Sequence, residues 1–215
     1  MTLQLENVSI AIGQAMLFAP FSLSVGAGEI VTLMGPSGCG KSSLLAYIAG
    51  DLASPLNGCG RIELNGEDLA TLRPEQRRVG RLFQDDLLFP HLTVGENLLF
   101  GMPRGDRTER RELMLQALQR TELSGMENRD PATLSGGQRA RASLMRALLA
   151  QPRCMLLDEP FNKLDQDLRN ATRAHVFEHL TQQAIPCLLV THDIEDVPRN
   201  GRIYRIDSSG EWKHV

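Results

Sequence analysis

Apolar residues recur along this chain in two rhythms, and the switch between them divides it. Leu3 to Ser9 and Phe21 to Val25 alternate apolar with polar positions, the period of a strand with one wet face. Ile30 to Met34 is almost unbroken apolar sequence and runs into a glycine-rich stretch, after which Ser42 to Ala49 takes helical spacing and closes on Gly50. Arg61 to Leu64, followed by Asn65-Gly66, predicts a hairpin arm, and Val79 to Gln84 predicts a further strand ending on a polar residue. The rhythm then becomes helical over Val94 to Phe100, Glu109 to Arg120 and Gln138 to Ala150. Short apolar runs return at Cys154 to Leu157 and Pro186 to Val190, separated by a helix from about Gln166 to Leu180. Unbroken apolar runs alternating with helices indicate parallel strands covered on both faces. The expectation is an α/β chain forming one domain over residues 1–215, with residues 1–85 and 151–215 as the core and residues 86–150 as an inserted helical subdomain.

Composition narrows the partners. The 23 basic and 26 acidic residues give a formal charge of −3, which argues against a surface that coats nucleic acid or clings to anionic lipid. Four cysteines, Cys39, Cys59, Cys154 and Cys187, show neither C-x-x-C pairing nor histidines at zinc spacing, so a reduced compartment is expected. The charge-poor stretch from Asn7 to Gly28 is broken by Gly13, Gln14 and Pro20 and reads as strands and turns, and the first residues lack the cationic flank of a secretion signal. Membrane association is therefore expected to come through a partner.

The chemistry concentrates in short segments. Gly35-Pro36-Ser37-Gly38-Cys39-Gly40-Lys41-Ser42 is a G-x-x-x-x-G-K-S pattern between a predicted strand and a predicted helix. Its glycines let backbone N–H groups turn onto a β-phosphate, Lys41 adds charge, Ser42 reaches Mg²⁺, and the following helix starts with its positive end toward the anion. Phosphoryl transfer to water also needs a metal anchor and a group that orients the water. Asp158, closing the apolar run Cys154 to Leu157, suits the first, and Glu159 beside it suits the second. Taken alone, Asp-Glu-Pro is an ordinary strand-to-helix turn with a capping acid; the glycine loop upstream selects the chemical reading.

Together with Leu134-Ser135-Gly136-Gly137-Gln138, these segments follow the order found in ABC-type ATPases, and the chain resembles that family along essentially its whole length. The resemblance implies a P-loop NTPase fold, with a RecA-like, mostly parallel sheet, an N-terminal antiparallel β arm and an inserted α-helical subdomain. It implies ATP and Mg²⁺ as cofactors. Ile12, Gly35, Pro36, Ser37, Gly38, Cys39, Gly40, Lys41, Ser42 and Ser43 would hold the nucleotide, and Ser42, Gln84 and Asp158 the metal. Glu159, His192, Lys41 and Gln84 would be catalytic, with His192 as the switch histidine that senses the γ-phosphate. Ser135, Gly136, Gly137, Gln138 and Asp165 would act in trans, from a second copy closing head to tail. The run Leu82 to Asn97 and the Leu-Ser-Gly-Gly-Gln-Arg-Ala signature are similar to those of bacterial importer ATPases serving ions, thiamine and polyamines. That implies a subunit on the cytoplasmic face of the inner membrane, bound to permease subunits and served indirectly by an extracytoplasmic solute-binding protein, with no nucleic acid expected.

Two positions depart from the family pattern. Ile12 stands where an aromatic often stacks on adenine, so base selectivity is expected to be lower. Lys163 replaces a usually small residue in Asn162-Lys163-Leu164-Asp165, whose place so soon after Asp158 excludes the guanine-reading N-K-x-D of GTPases. Arg139, Arg141 and Arg146 are expected on the solvated face of the signature helix. His175 and His179 share a helix face, but no third ligand accompanies them. A soluble ABC protein acting on nucleic acid or ribosomes, an exporter ATPase subunit and a small P-loop kinase are the rival readings. Such soluble proteins usually carry two cassettes or a coiled-coil insertion, exporters commonly fuse to membrane helices, and a kinase would leave the signature unexplained.

Overall fold

The computed structural model describes residues 1–207 and 209–215. In chain order the elements are β1 (Leu3–Ile12), β2 (Ala15–Met16), β3 (Phe21–Val25), β4 (Ile30–Met34), α1 (Lys41–Ala49), β5 (Leu56–Leu64), β6 (Glu67–Asp68), α2 (Pro74–Arg77) and β7 (Val79–Leu82). They continue with α3 (Val94–Gly101), α4 (Arg107–Arg120), α5 (Gly136–Leu149), β8 (Cys154–Asp158), α6 (Gln166–Gln182), β9 (Cys187–Val190), β10 (Arg202–Ile206) and β11 (Trp212–His214). Two compact units emerge, one of Met1–Arg81, Arg153–Glu159 and Phe177–Val215, the other of Leu82–Pro152 and Pro160–Val176.

The first unit contains a six-stranded sheet in the order β11-β10-β4-β9-β8-β7 and an antiparallel sheet in which β1 pairs with β2, β3 and β5. Within the six-stranded sheet β10, β4, β9 and β8 run parallel. Every residue of β4, β8 and β9 is buried, which is why these strands read as continuous apolar runs, whereas β3 alternates buried with exposed positions as a one-faced strand does. Asn65 and Gly66 both have positive φ, +56° and +79°, the pair a two-residue primed turn requires, and the expected hairpin forms between β5 and β6. Register matters most for function. Leu33 of β4 and Asp158 of β8 both sit opposite Val190 of β9, so the loops leaving these three strands emerge at one edge of the sheet. In open α/β sheets that carboxyl edge is where ligands bind.

The second unit is built on α3, α4 and α5, each started by a side-chain cap. Thr93 with Glu96 and Ser135 with Gln138 form reciprocal capping boxes, and Asp106 accepts from the N–H groups of Thr108 and Glu109. Caps of this kind stabilise a helix by about 1 kcal/mol each. The apolar stripe of α5 buries Ala140, Ala142, Leu144, Met145 and Leu148, but its arginines correct the sequence reading. Arg141 is 5% exposed and donates to the Thr121 carbonyl, Arg146 donates to the Leu87 carbonyl at 2.9 Å, and Arg139 donates to the Leu134 carbonyl at 2.6 Å. Each of these guanidiniums engages a backbone carbonyl, and burial holds Arg141 and Arg146 below the usual arginine range.

Candidate active site

The glycine loop leaves β4 and closes on α1 around a lysine. Lys41 is 8% exposed, and its Nζ donates to the carbonyls of Gly35 at 2.9 Å and Pro36 at 2.7 Å, with Cys39 Sγ at 3.6 Å. The loop thus wraps its own cation, with that charge held by the loop's own carbonyls. Gly40 caps α1 with φ of +95°, and a Cβ there would lie 2.9 Å from the Phe18 ring, so backbone geometry and packing both demand glycine. The first turn of α1 carries no acidic residue, leaving its positive end uncompensated.

Asp158 ends β8 and is 4% exposed. Burial pushes its carboxyl above the ordinary aspartate range, while a hydrogen bond from Ser42 and the nearby charges of Arg81 and Lys41 pull it down. Its Oδ1 is buried without a hydrogen-bond partner. An orphaned carboxylate oxygen beside a serine hydroxyl fits a hard oxygen-ligated cation such as Mg²⁺, which takes only a few protein oxygens and keeps waters.

Glu159 follows at φ of +49°, in the left-handed region that non-glycine residues adopt uncommonly. Its N–H donates to the Val190 carbonyl at 2.9 Å, which ties the turn to the end of β9. One carboxylate oxygen, Oε1, lies 2.9 Å from His192 Nδ1, and the other, Oε2, is buried without a hydrogen-bond partner. The Glu159 side chain is 10% exposed and that of His192 67% exposed. A carboxylate held by one oxygen, with the second free inside the site, is placed to orient a water and accept its proton.

Lys41, Ser42, Asp158, Glu159 and His192 therefore all belong to the first unit and to one sheet edge. Ile12 ends β1 at the turn into β2, 47% exposed, near Met16 at 53%. Gln84, Ser135, Gly136, Gly137, Gln138 and Asp165 belong to the second unit. Gln84 is exposed and lies beyond the end of β7 at Leu82, so the predicted strand to Gln84 stops short of it. The Ser135 hydroxyl accepts from the Gln138 N–H at 3.2 Å and Gln138 Oε1 accepts from the Ser135 N–H at 2.9 Å, so the signature is also a helix cap. Asp165 Oδ1 accepts from the Leu168 N–H at 3.2 Å at the start of α6. Lys163 Nζ pairs with Asp86 at 3.2 Å, and Arg139 Nε approaches the same carboxylate at 3.6 Å.

Sequence reasoning missed Arg81, whose Nη1 lies 2.6 Å and 2.7 Å from the two oxygens of Asp51 and whose Nη2 is 3.4 Å from the Ser42 carbonyl. The only signal was a basic residue inside an apolar strand. It also missed the pairing of Glu159 with His192, for which the sequence carries no signal.

A sequence profile of the family described as ABC transporter matches residues 18–162. The chain is 47% identical over 199 residues, covering 92% of each protein, to the uncharacterised ABC transporter ATP-binding protein YnjD of Escherichia coli. It is 39% identical over 225 residues to the sulfate/thiosulfate import ATP-binding protein CysA of Gloeobacter violaceus, covering 98% of this chain and 64% of that one. Identity to the Fe(3+) ions import ATP-binding protein FbpC of Pasteurella multocida is 39% over 193 residues, covering 89% of this chain and 54% of that one. Among solved structures, the dimeric post-hydrolysis state of the ATP-binding cassette MJ0796, bound to ADP and Pi, superposes with a TM-score of 0.84 at 30% identity, covering 99% and 97% of the two chains.

Proposed function

Since the chain belongs to the ABC transporter family and is one of its ATPases, we propose that it energises import of a small solute across a bacterial inner membrane. Its fold is that of a P-loop NTPase. The observation that carries the catalytic half of this reading is the convergence of Lys41, Ser42, Asp158, Glu159 and His192 where three parallel strands end. In the reading, residues 1–215 act as one ABC ATPase domain. The amides of Gly35 to Ser43 and the Lys41 ammonium take the phosphates in place of the loop carbonyls, and Ile12 packs on the base. Ser42, Asp158 and Gln84 hold Mg²⁺, which when bound neutralises charge developing on the phosphate oxygens. Glu159 orients the attacking water and takes its proton, and His192, anchored on Glu159, contacts the γ-phosphate.

Closure needs a second copy. Ser135, Gly136, Gly137, Gln138 and Asp165 of one protomer would cover the nucleotide held by the other, an arrangement supported by the dimeric state of the MJ0796 cassette. The α5 N-terminus, capped by Ser135, offers backbone N–H groups to an anion.

The transport half rests on the importers named among the relatives, which are longer than this chain, and on an exposed apolar patch in the second unit. Leu87 is 54% and Phe100 68% exposed, Phe89 meets Phe100 edge-on at 4.8 Å between ring centroids, and the Arg146 guanidinium lies 5.2 Å from the Phe89 ring. Such patches mark interaction sites, and the occupant in this reading is a cytoplasmic segment of a permease subunit. No helix among the described residues is long and apolar enough to cross a membrane, so residence at the cytoplasmic face would come through that contact. A solute-binding protein on the far side would complete the importer. Purification of the tagged native chain from gently solubilised membranes tests the reading: an integral membrane permease should co-elute, and Phe100→Glu should release it without loss of ATP binding. Recovery of ribosomes or nucleic acid instead would overturn the transport assignment.

A further inference from the structure

His192 sits on a loop whose two ends are fastened by one hydroxyl. Thr191 is fully buried, and its single hydroxyl proton goes to Asp196 Oδ2 at 3.0 Å. Thr191 Oγ1 itself accepts from the Asp193 N–H at 3.1 Å. The backbone N–H of Thr191 donates to the Leu33 carbonyl of β4 at 3.3 Å, and the Asp196 N–H donates to the Asp193 carbonyl at 3.2 Å. The residues on either side of His192 are thus pinned through Thr191 Oγ1, and the strand feeding the glycine loop is the anchor.

Asp196 is 0% exposed, and a buried carboxylate costs more to fold than an apolar side chain of similar size. Such groups are retained where a particular geometry is worth more than stability. The geometry in question is that of the imidazole. Two-thirds of the His192 side chain is exposed, so packing alone fixes it weakly, yet Nδ1 lies 2.9 Å from Glu159 Oε1. We propose that Thr191 and Asp196 are positioning residues, a buried hydroxyl–carboxylate clasp that sets the backbone of His192 and through it the orientation of the Glu159 carboxylate. This rests on the catalytic reading of Glu159 and His192 given above. Neither positioning residue touches nucleotide; both act through His192.

A double-mutant cycle separates positioning from general stability. Thr191→Val keeps the shape and removes the hydroxyl; it should lower kcat about tenfold with KM for ATP nearly unchanged, measured well below the melting temperature. In the His192→Ala background, followed by single-turnover phosphate release with protein in excess, Thr191→Val should have no further effect, because the residue it positions is gone. Thr191→Ser, which restores the hydroxyl, should recover the native rate. So should Asp196→Asn, whose amide oxygen can still accept the bond. If Thr191→Val turns over like the native chain while His192→Ala is slow, or if it costs the same factor in both backgrounds, the clasp is structural only and this inference falls. Native turnover in His192→Ala would instead overturn the role of His192 itself, and the clasp with it.

Discussion

Replacing Glu159 with glutamine should separate binding from chemistry. The structure leaves the carboxylate two tasks: Oε1 meets His192 Nδ1 at 2.9 Å, and Oε2 occupies a buried position without a hydrogen-bond partner. A glutamine of the same shape can meet the imidazole with its oxygen or its amide and fill the second position with the other atom. Loop, metal anchor and pocket shape are untouched, so ATP affinity should hold. An amide cannot take a proton from water, and removal of a general base lowers turnover about 10²- to 10⁴-fold, or about 2.7 to 5.4 kcal/mol in the barrier. The electrostatic sign runs the other way. Glu159 is among the charges that raise the Asp158 carboxyl, so its neutralisation should stabilise the nucleotide-free chain at neutral pH. Steady-state phosphate release, a thermal melt and size exclusion with ATP read the three effects together: slow turnover, a melting temperature no lower than native, and a nucleotide-trapped dimer. Turnover within threefold of native, or a rise in KM that accounts for the loss, would refute the assignment of the base.

Other consequences follow from the same geometry. Because burial raises the folded-state pKa of Asp158, the folded chain holds that proton more tightly than the unfolded one, and stability falls as pH rises from about 4 through the raised value. Asp158→Asn should therefore be more resistant to urea than the native chain at pH 7 without Mg²⁺, and the difference should vanish below about pH 4; equal midpoints at pH 7 would contradict the cause given. Arg141→Met strands the buried Thr121 carbonyl and should cost about 1–3 kcal/mol of stability in a denaturant titration, where a solvated arginine would cost almost nothing. Gly40→Ala forces a side chain into φ of +95° and against Phe18, so it should abolish binding of a fluorescent ATP analogue while circular dichroism stays close to native; unchanged affinity would show that the loop tolerates a Cβ.

The legible features were those whose physics is local. The Asn65-Gly66 turn demands positive φ at adjacent residues, and the spacing of Ser135 and Gln138 is itself a capping box. The arginines of α5 were misread because a helical wheel shows which residues are apolar, not which carbonyls of neighbouring turns wait opposite. Arg141 meets the open end of α4 at Thr121, a partner that helical periodicity does not reveal.

By itself the sequence determined the strand-loop-helix that wraps Lys41, the acid pair at the end of a buried strand, and the caps that start the helices, because each depends on residues close together in the chain. Only the tertiary structure decided that Glu159 meets His192, that Arg81 lies beside Ser42, and that Thr191 and Asp196 close the loop between them. The first two pairings follow from the order and register of strands far apart in sequence. The third, though short in sequence, exists because the fold buries a hydroxyl and a carboxylate within hydrogen-bond distance of each other.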